Sequence, residues 1–193
     1  VPAMALEHAM LLNGLTDGVN VTINYDVQYD LIGAAFISGT GDFCTMFEPA
    51  ASEMQAQGTG YIVASVGQAA GDMPFTAFSA KQSYIDENPD KIQAFCNAIA
   101  RAIEYVYKTD SEEIARLIST SFAGSDIATL ANAIQAYKDI GAYSPTLVPD
   151  AEDFDRLQDV IIEAGVMDSK IDFDKIVNLS FAEKATEYAK SHA

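Results

Sequence analysis

The sequence predicts an α/β protein that turns almost wholly helical in its second half, and three observations carry that reading. Up to residue 80, helical and strand-like periodicities alternate, and from Asn88-Pro89 onward only the helical period persists. The composition, 49% hydrophobic and 20% charged, is that of a soluble globular protein. With 193 residues, the chain is long enough to bury roughly 70% of its unfolded surface.

The elements follow in order. Pro2 suits a first helical position, and Leu6, Ala9, Met10 and Asn13 recur at helical spacing until Asn13-Gly14 stops them. Val21, Ile23, Tyr25 and Val27 alternate with polar residues, which predicts a half-buried strand over 21–27. A short helix over 31–38 ends at Gly39-Thr40-Gly41, and a strand over 43–47, a helix over 49–57 and a strand over 61–66 come next. "GQAAGDM", Gly67 to Met73, has linker chemistry, and "PFTAFSA", Pro74 to Ala80, is the last predicted strand.

Beyond it, Asn88-Pro89 caps a helix striped by Ile92, Phe95, Cys96, Ile99, Ile103 and Val106. Asp110 with Glu113 forms a capping box for a helix over 114–119. Ile127, Leu130, Ala131, Ile134 and Tyr137 mark a third helix, Phe154 to Ala164 a fourth, and Phe181 to Lys190 a fifth.

Charge narrows the partners. A net charge of -17 disfavours nucleic acid and anionic lipid, both of which need a basic surface. The asymmetry is sharper still: no Lys or Arg precedes Lys81, while Glu7, Asp17, Asp26, Asp30, Asp42, Glu48, Glu53 and Asp72 all do. A ligand touching this first part meets no side-chain cation there. Cys44 and Cys96 show no metal or redox spacing and read as small buried hydrophobes. No apolar run approaches membrane-spanning length, and no signal peptide opens the chain.

The ordered series "PAMALEHAMLLNGL", a strand, "GAAFISGTGDFCTMFEPAAS", "GTGYIVAS" and "FTAFSAKQSYIDENPDKIQAFCNAI" resembles the type II solute-binding proteins of ABC importers. It is most similar to their nitrate, sulfonate, taurine and thiamine-pyrimidine branch. The resemblance implies a periplasmic-binding-protein type II fold lacking its N-terminal part. Residues 1–72 would then form most of lobe two, and 73–193 the returning strand and C-terminal helices of lobe one. It also implies an extracytoplasmic receptor, periplasmic or lipid-anchored, that closes on a small molecule and delivers it to a membrane permease. An incomplete lobe one would leave apolar surface open to self-association.

Two places would face the ligand in such a fold. At Phe47-Glu48-Pro49, a strand end meets a helix start, so Phe47 would stack on a flat ligand and Glu48 would accept its hydrogen bonds. The bland alternative makes Glu48 an acid near the N-cap and Pro49 the first helical residue. The second place is the first helix's N-terminus, Val1, Pro2, Ala3 and Met4, whose free N–H groups suit an anion or a carbonyl.

The missing cations favour a neutral or amine-bearing heterocycle over a small sulfonate-like anion. His8 reads as a surface or packing residue, and Tyr25, Tyr29 and Asp30 as core residues or as the mouth of the cleft. "DSKIDFD" lacks the glycine and terminal glutamate of a calcium loop. No phosphate loop, nucleophile elbow or metal-spaced histidine pair points to an enzyme, and no cofactor or metal is expected. The alternatives are a thiamine-pyrimidine-synthase-like enzyme of the same fold, whose cysteine-rich segment and histidines are absent here, and a helical interaction module.

Overall fold

Proline at the second position and the apolar stripe behind it set the first helix, α1 (Pro2–Leu12), in a computed structural model that describes residues 2–191. Ten more helices follow among the described residues: α2 (Ile32–Ile37), α3 (Ala50–Ala56), α4 (Val66–Ala70), α5 (Gln82–Glu87), α6 (Pro89–Lys108), α7 (Ser111–Ile118), α8 (Ile127–Asp139), α9 (Ala151–Glu163), α10 (Phe173–Ile176) and α11 (Ser180–Ser191). The chain divides into two units. One holds Val1–Asn13, Val66–Lys108 and Tyr143–Ala193, and the other Gly14–Ser65 and Thr109–Ala142, so the two alternate along the chain.

In the first unit, small residues let helices approach closely. Ala100 of α6 and Ala185 and Ala189 of α11 are buried together, with Cys96 and Leu147 packed against them. The helix α1 lies on α4 and α9, and His8 Nδ1 sits 2.7 Å from Glu163 Oε2. His8 is therefore the packing residue its sequence suggests. Arg156 of α9 donates to Asp153 Oδ1 at 2.8 Å and to the Asp72 carbonyl, tying the turn after Gly71 to the helix. Gly71 has φ +86°, a conformation that favours glycine.

The second unit is built on larger side chains. Its core joins Ile114 and Ala115 of α7 to Leu130, Ala133 and Ile134 of α8, and α3 packs on α8 through the same unit. Ser111 Oγ donates to Gln135 Oε1 at 2.9 Å, and Lys138 Nζ to the Thr109 carbonyl at 2.7 Å. Asp110 caps its helix start as the sequence implies, and Asp126 and Asp150 do the same, their side chains accepting from backbone N–H groups of the first turns they precede.

The strands are the main correction. No paired strand forms among the described residues; their β pairing is the isolated bridge between Asp17 and Val21. Over 21–27 the cause is local competition. Asp17 Oδ1 accepts from Ile23 N at 2.7 Å, Asn20 Oδ1 from Thr16 N at 2.8 Å, and Gly18 N donates to the Val21 carbonyl, closing a loop in place of a ladder. Over 43–47, 61–66 and 74–80 the apolar alternation is real but lacks a neighbouring strand, and a strand exists only by pairing. Val66 instead begins α4. Among the described residues the chain is mainly helical.

Smaller shifts have local causes too. Asn88 closes the C-terminal end of α5 and also opens α6: its carbonyl accepts from Lys91 N and Ile92 N at 3.1 and 3.2 Å, while its side-chain Oδ1 takes Lys91 Nζ at 2.9 Å. Pro49 is the N-cap of α3 rather than its first helical residue. Tyr25 and Tyr29 are both exposed, so neither is a core aromatic.

Candidate functional site

The turn from Phe47 to Pro49 is held at both ends by atoms of its own unit. Glu48 N donates to the Tyr137 hydroxyl at 3.2 Å, anchoring the turn to α8. Glu48 Oε2 accepts from Ser52 N at 3.0 Å, which satisfies one of the free donors at the start of α3. The carboxylate therefore plays the structural part that the bland alternative assigned to it. Its second oxygen, Oε1, makes no hydrogen bond to protein among the described residues, and so it remains an acceptor for something else. The Glu48-Pro49 peptide is cis.

Two rings flank this carboxylate's own residue. Phe47 is 39% exposed and meets Tyr29, which is 65% exposed, with ring centroids 6.2 Å apart and planes tilted by 53°. Tyr137 completes the group. Burial pushes its hydroxyl pKa up, the charge of Glu48 and the proximity of Tyr29 push the same way, and the hydrogen bond from Glu48 N opposes them. At neutral pH the hydroxyl stays protonated. The patch thus groups the exposed rings of Tyr29 and Phe47 with Glu48, whose backbone is held by the half-buried Tyr137.

Sequence reasoning found Phe47, Glu48 and Pro49 here but missed Tyr137 and undervalued Tyr29. The signal for Tyr137 was present, since it lies on the apolar stripe of the predicted third helix, yet its contact with Glu48 spans 89 positions. Of the other predicted group, Val1 lies outside the described residues. Pro2 and Ala3 are exposed and Met4 half-buried in the first turn of α1, in the other unit. Ala3 and Met4 carry the free N–H donors of any helix start, and Pro2 has none.

Other candidates are absorbed by structure. Asp150 caps α9, Lys170 Nζ reaches Asp159 at 2.9 Å and Asp155 at 3.7 Å, and Lys175 pairs with Asp172 at 2.6 Å. Those interactions engage acids of 150–159 and of the "DSKIDFD" stretch. No group of metal-ligating side chains occurs among the described residues. Cys44 and Cys96 are free thiols whose pKa values burial raises, which suits packing rather than reactivity. No helix among the described residues is long and apolar enough to cross a membrane.

Residues 1–119, well over half of the chain, match the NMT1-like family. The chain belongs to the NMT1-like family. Within curated proteins it is 31% identical over 186 residues to the Bacillus subtilis (strain 168) protein named "Putative binding protein YtlA". That alignment covers 96% of this chain and 56% of the relative, so this member of the NMT1-like family spans little more than half the relative's length. No solved structure matches it significantly.

Proposed function

We propose that this chain is part of the substrate-binding component of an ABC-type importer. It captures a small molecule outside the cytoplasm, in the periplasm or anchored at the outer membrane face, and hands it to a permease. The observation that carries the reading is the divided Glu48 carboxylate: one oxygen fixes the start of α3, and the other makes no hydrogen bond to protein among the described residues, in a turn whose Phe47 ring is exposed. Membership of the NMT1-like family and a relative named as a binding protein support it.

In the complete receptor, closure of two lobes buries the ligand. Binding requires no covalent chemistry. Phe47 packs on the ligand's flat face, and Glu48 accepts its N–H groups.

The test is calorimetric titration of the full-length protein with pyrimidines, amines and sulfonates. A hydrogen bond to a buried charge is worth about 1.5–3 kcal/mol, so Glu48→Gln weakens binding by roughly 10- to 150-fold. Glutamine can still accept from Ser52 N, so unliganded stability changes little. Phe47→Ala lowers affinity through lost stacking. Unchanged affinity in both variants would return the turn to a purely structural role.

A further inference from the structure

Ligand charge is the property on which the patch is most informative. The second unit contains two cationic side chains among its described residues, and both are engaged away from the patch. Lys138 Nζ is bonded to the Thr109 carbonyl at 2.7 Å, and Arg116 is paired with Glu112 one helical turn before it. An anion at Phe47 would meet the Glu48 carboxylate with no compensating charge from this unit.

The rings add a second, independent argument. Tyr29 and Phe47 lie within ring-contact distance and are both open to solvent, and an aromatic face carries partial negative charge that attracts a cation. The Glu48 carboxylate, next to Phe47 in the chain, and the faces of these two rings carry the same sign of partial charge. A neutral heterocycle would use the oxygen but gain little from the rings beyond contact area.

We propose that the Tyr29–Phe47–Glu48 patch selects an organic cation, a protonated amine that lies against the two rings and donates N–H to Glu48 Oε1. The proposal rests on the binding-protein reading above and narrows its ligand class from heterocycles and sulfonates to amines. Tyr29 becomes a specificity-determining residue, and Tyr137 a positioning residue that holds Glu48 through its backbone.

One apolar ring carrying three different head groups tests it. Benzylammonium, benzyl alcohol and phenylmethanesulfonate are titrated into the 193-residue chain and followed by proton–carbon NMR of its Tyr and Phe rings. The expected result is benzylammonium binding about 10-fold tighter than the alcohol, with the sulfonate weakest and the shifts centred on Tyr29 and Phe47. Tyr29→Leu keeps apolar bulk at an exposed position and should reduce the preference to about 3-fold or less, while Glu48→Gln should remove most of it.

Equal binding of ammonium and alcohol, both weakened by Phe47→Ala, would overturn the cation proposal and leave the Phe47 site standing. Absence of binding by all three probes, or shifts indifferent to both Phe47→Ala and Tyr29→Leu, would overturn the site and the cation together.

Discussion

Leu130 in α8 is 2% exposed, while Tyr61 and Val63 in the segment before α4 are 79% and 73% exposed, although all three are apolar residues in strongly patterned sequence. The α8 backbone closes its hydrogen bonds within the helix, and Asp126 caps its start with bonds to Thr129 N and Oγ1 at 2.8 and 3.0 Å. At 61–65, Ile62 N finds a side chain, Gln55 Oε1, at 3.0 Å, and no ladder forms. A helix satisfies its own backbone, whereas a strand borrows its partners from elsewhere. The difference shows where this chain is self-sufficient: residues 89–191 specify their helices locally, and 43–80 carry pattern without pairing.

The largest expected effect breaks the comparison at its buried end. Leu130→Ala should destabilise the chain by roughly 2–5 kcal/mol in urea unfolding, whereas Val63→Ala should stay within about 0.5 kcal/mol. A comparable loss from Val63→Ala would show that the exposed segment is packed in solution. Overpacking comes next. Ala115, fully buried between α7 and α8, has no room for a larger side chain, so Ala115→Leu should cost about 1–3 kcal/mol by the same measurement.

A smaller effect tests the local caps. Asp150→Ala removes the acceptor for Glu152 N, 2.7 Å away, and should lower stability by about 1 kcal/mol. The smallest expected effect is a pH dependence at Asp126. Its hydrogen bonds to Thr129 lower the carboxyl pKa below 3.8, so its stabilisation is present above that unfolded value and is lost as pH falls through the lower folded value. Thermal melts between pH 5 and pH 2 should show wild type losing more stability than Asp126→Asn, which keeps a cap without a titrating group. Parallel curves would contradict it.

What was legible in the sequence follows the same division. α1, α6, α7, α8, α9 and α11 were all anticipated, because a stripe such as Ile127, Leu130, Ile134 and a preceding Asp are signals contained within one turn of chain. The short helices α4 and α5 were not, since five or six residues make too little periodicity to read. The four expected strands do not form among the described residues, because pairing is decided by residues distant in sequence or by local rivals such as Asp17 and Asn20. At the site, the turn at Phe47-Glu48-Pro49 was visible as a helix start, but the partners of its ring and its backbone, Tyr29 and Tyr137, were set by folding.

Amide hydrogen exchange of the chain with and without saturating benzylammonium tests most directly the claim that this turn is where a ligand lands. Ligand contact at Glu48 should rigidify the start of α3, slowing exchange at Ser52 N, whose acceptor is Glu48 Oε2, while amides in the middle of α8 stay unchanged. Protection spread evenly over α7 and α8, or a Ser52 amide whose exchange is the same with and without ligand, would contradict the account.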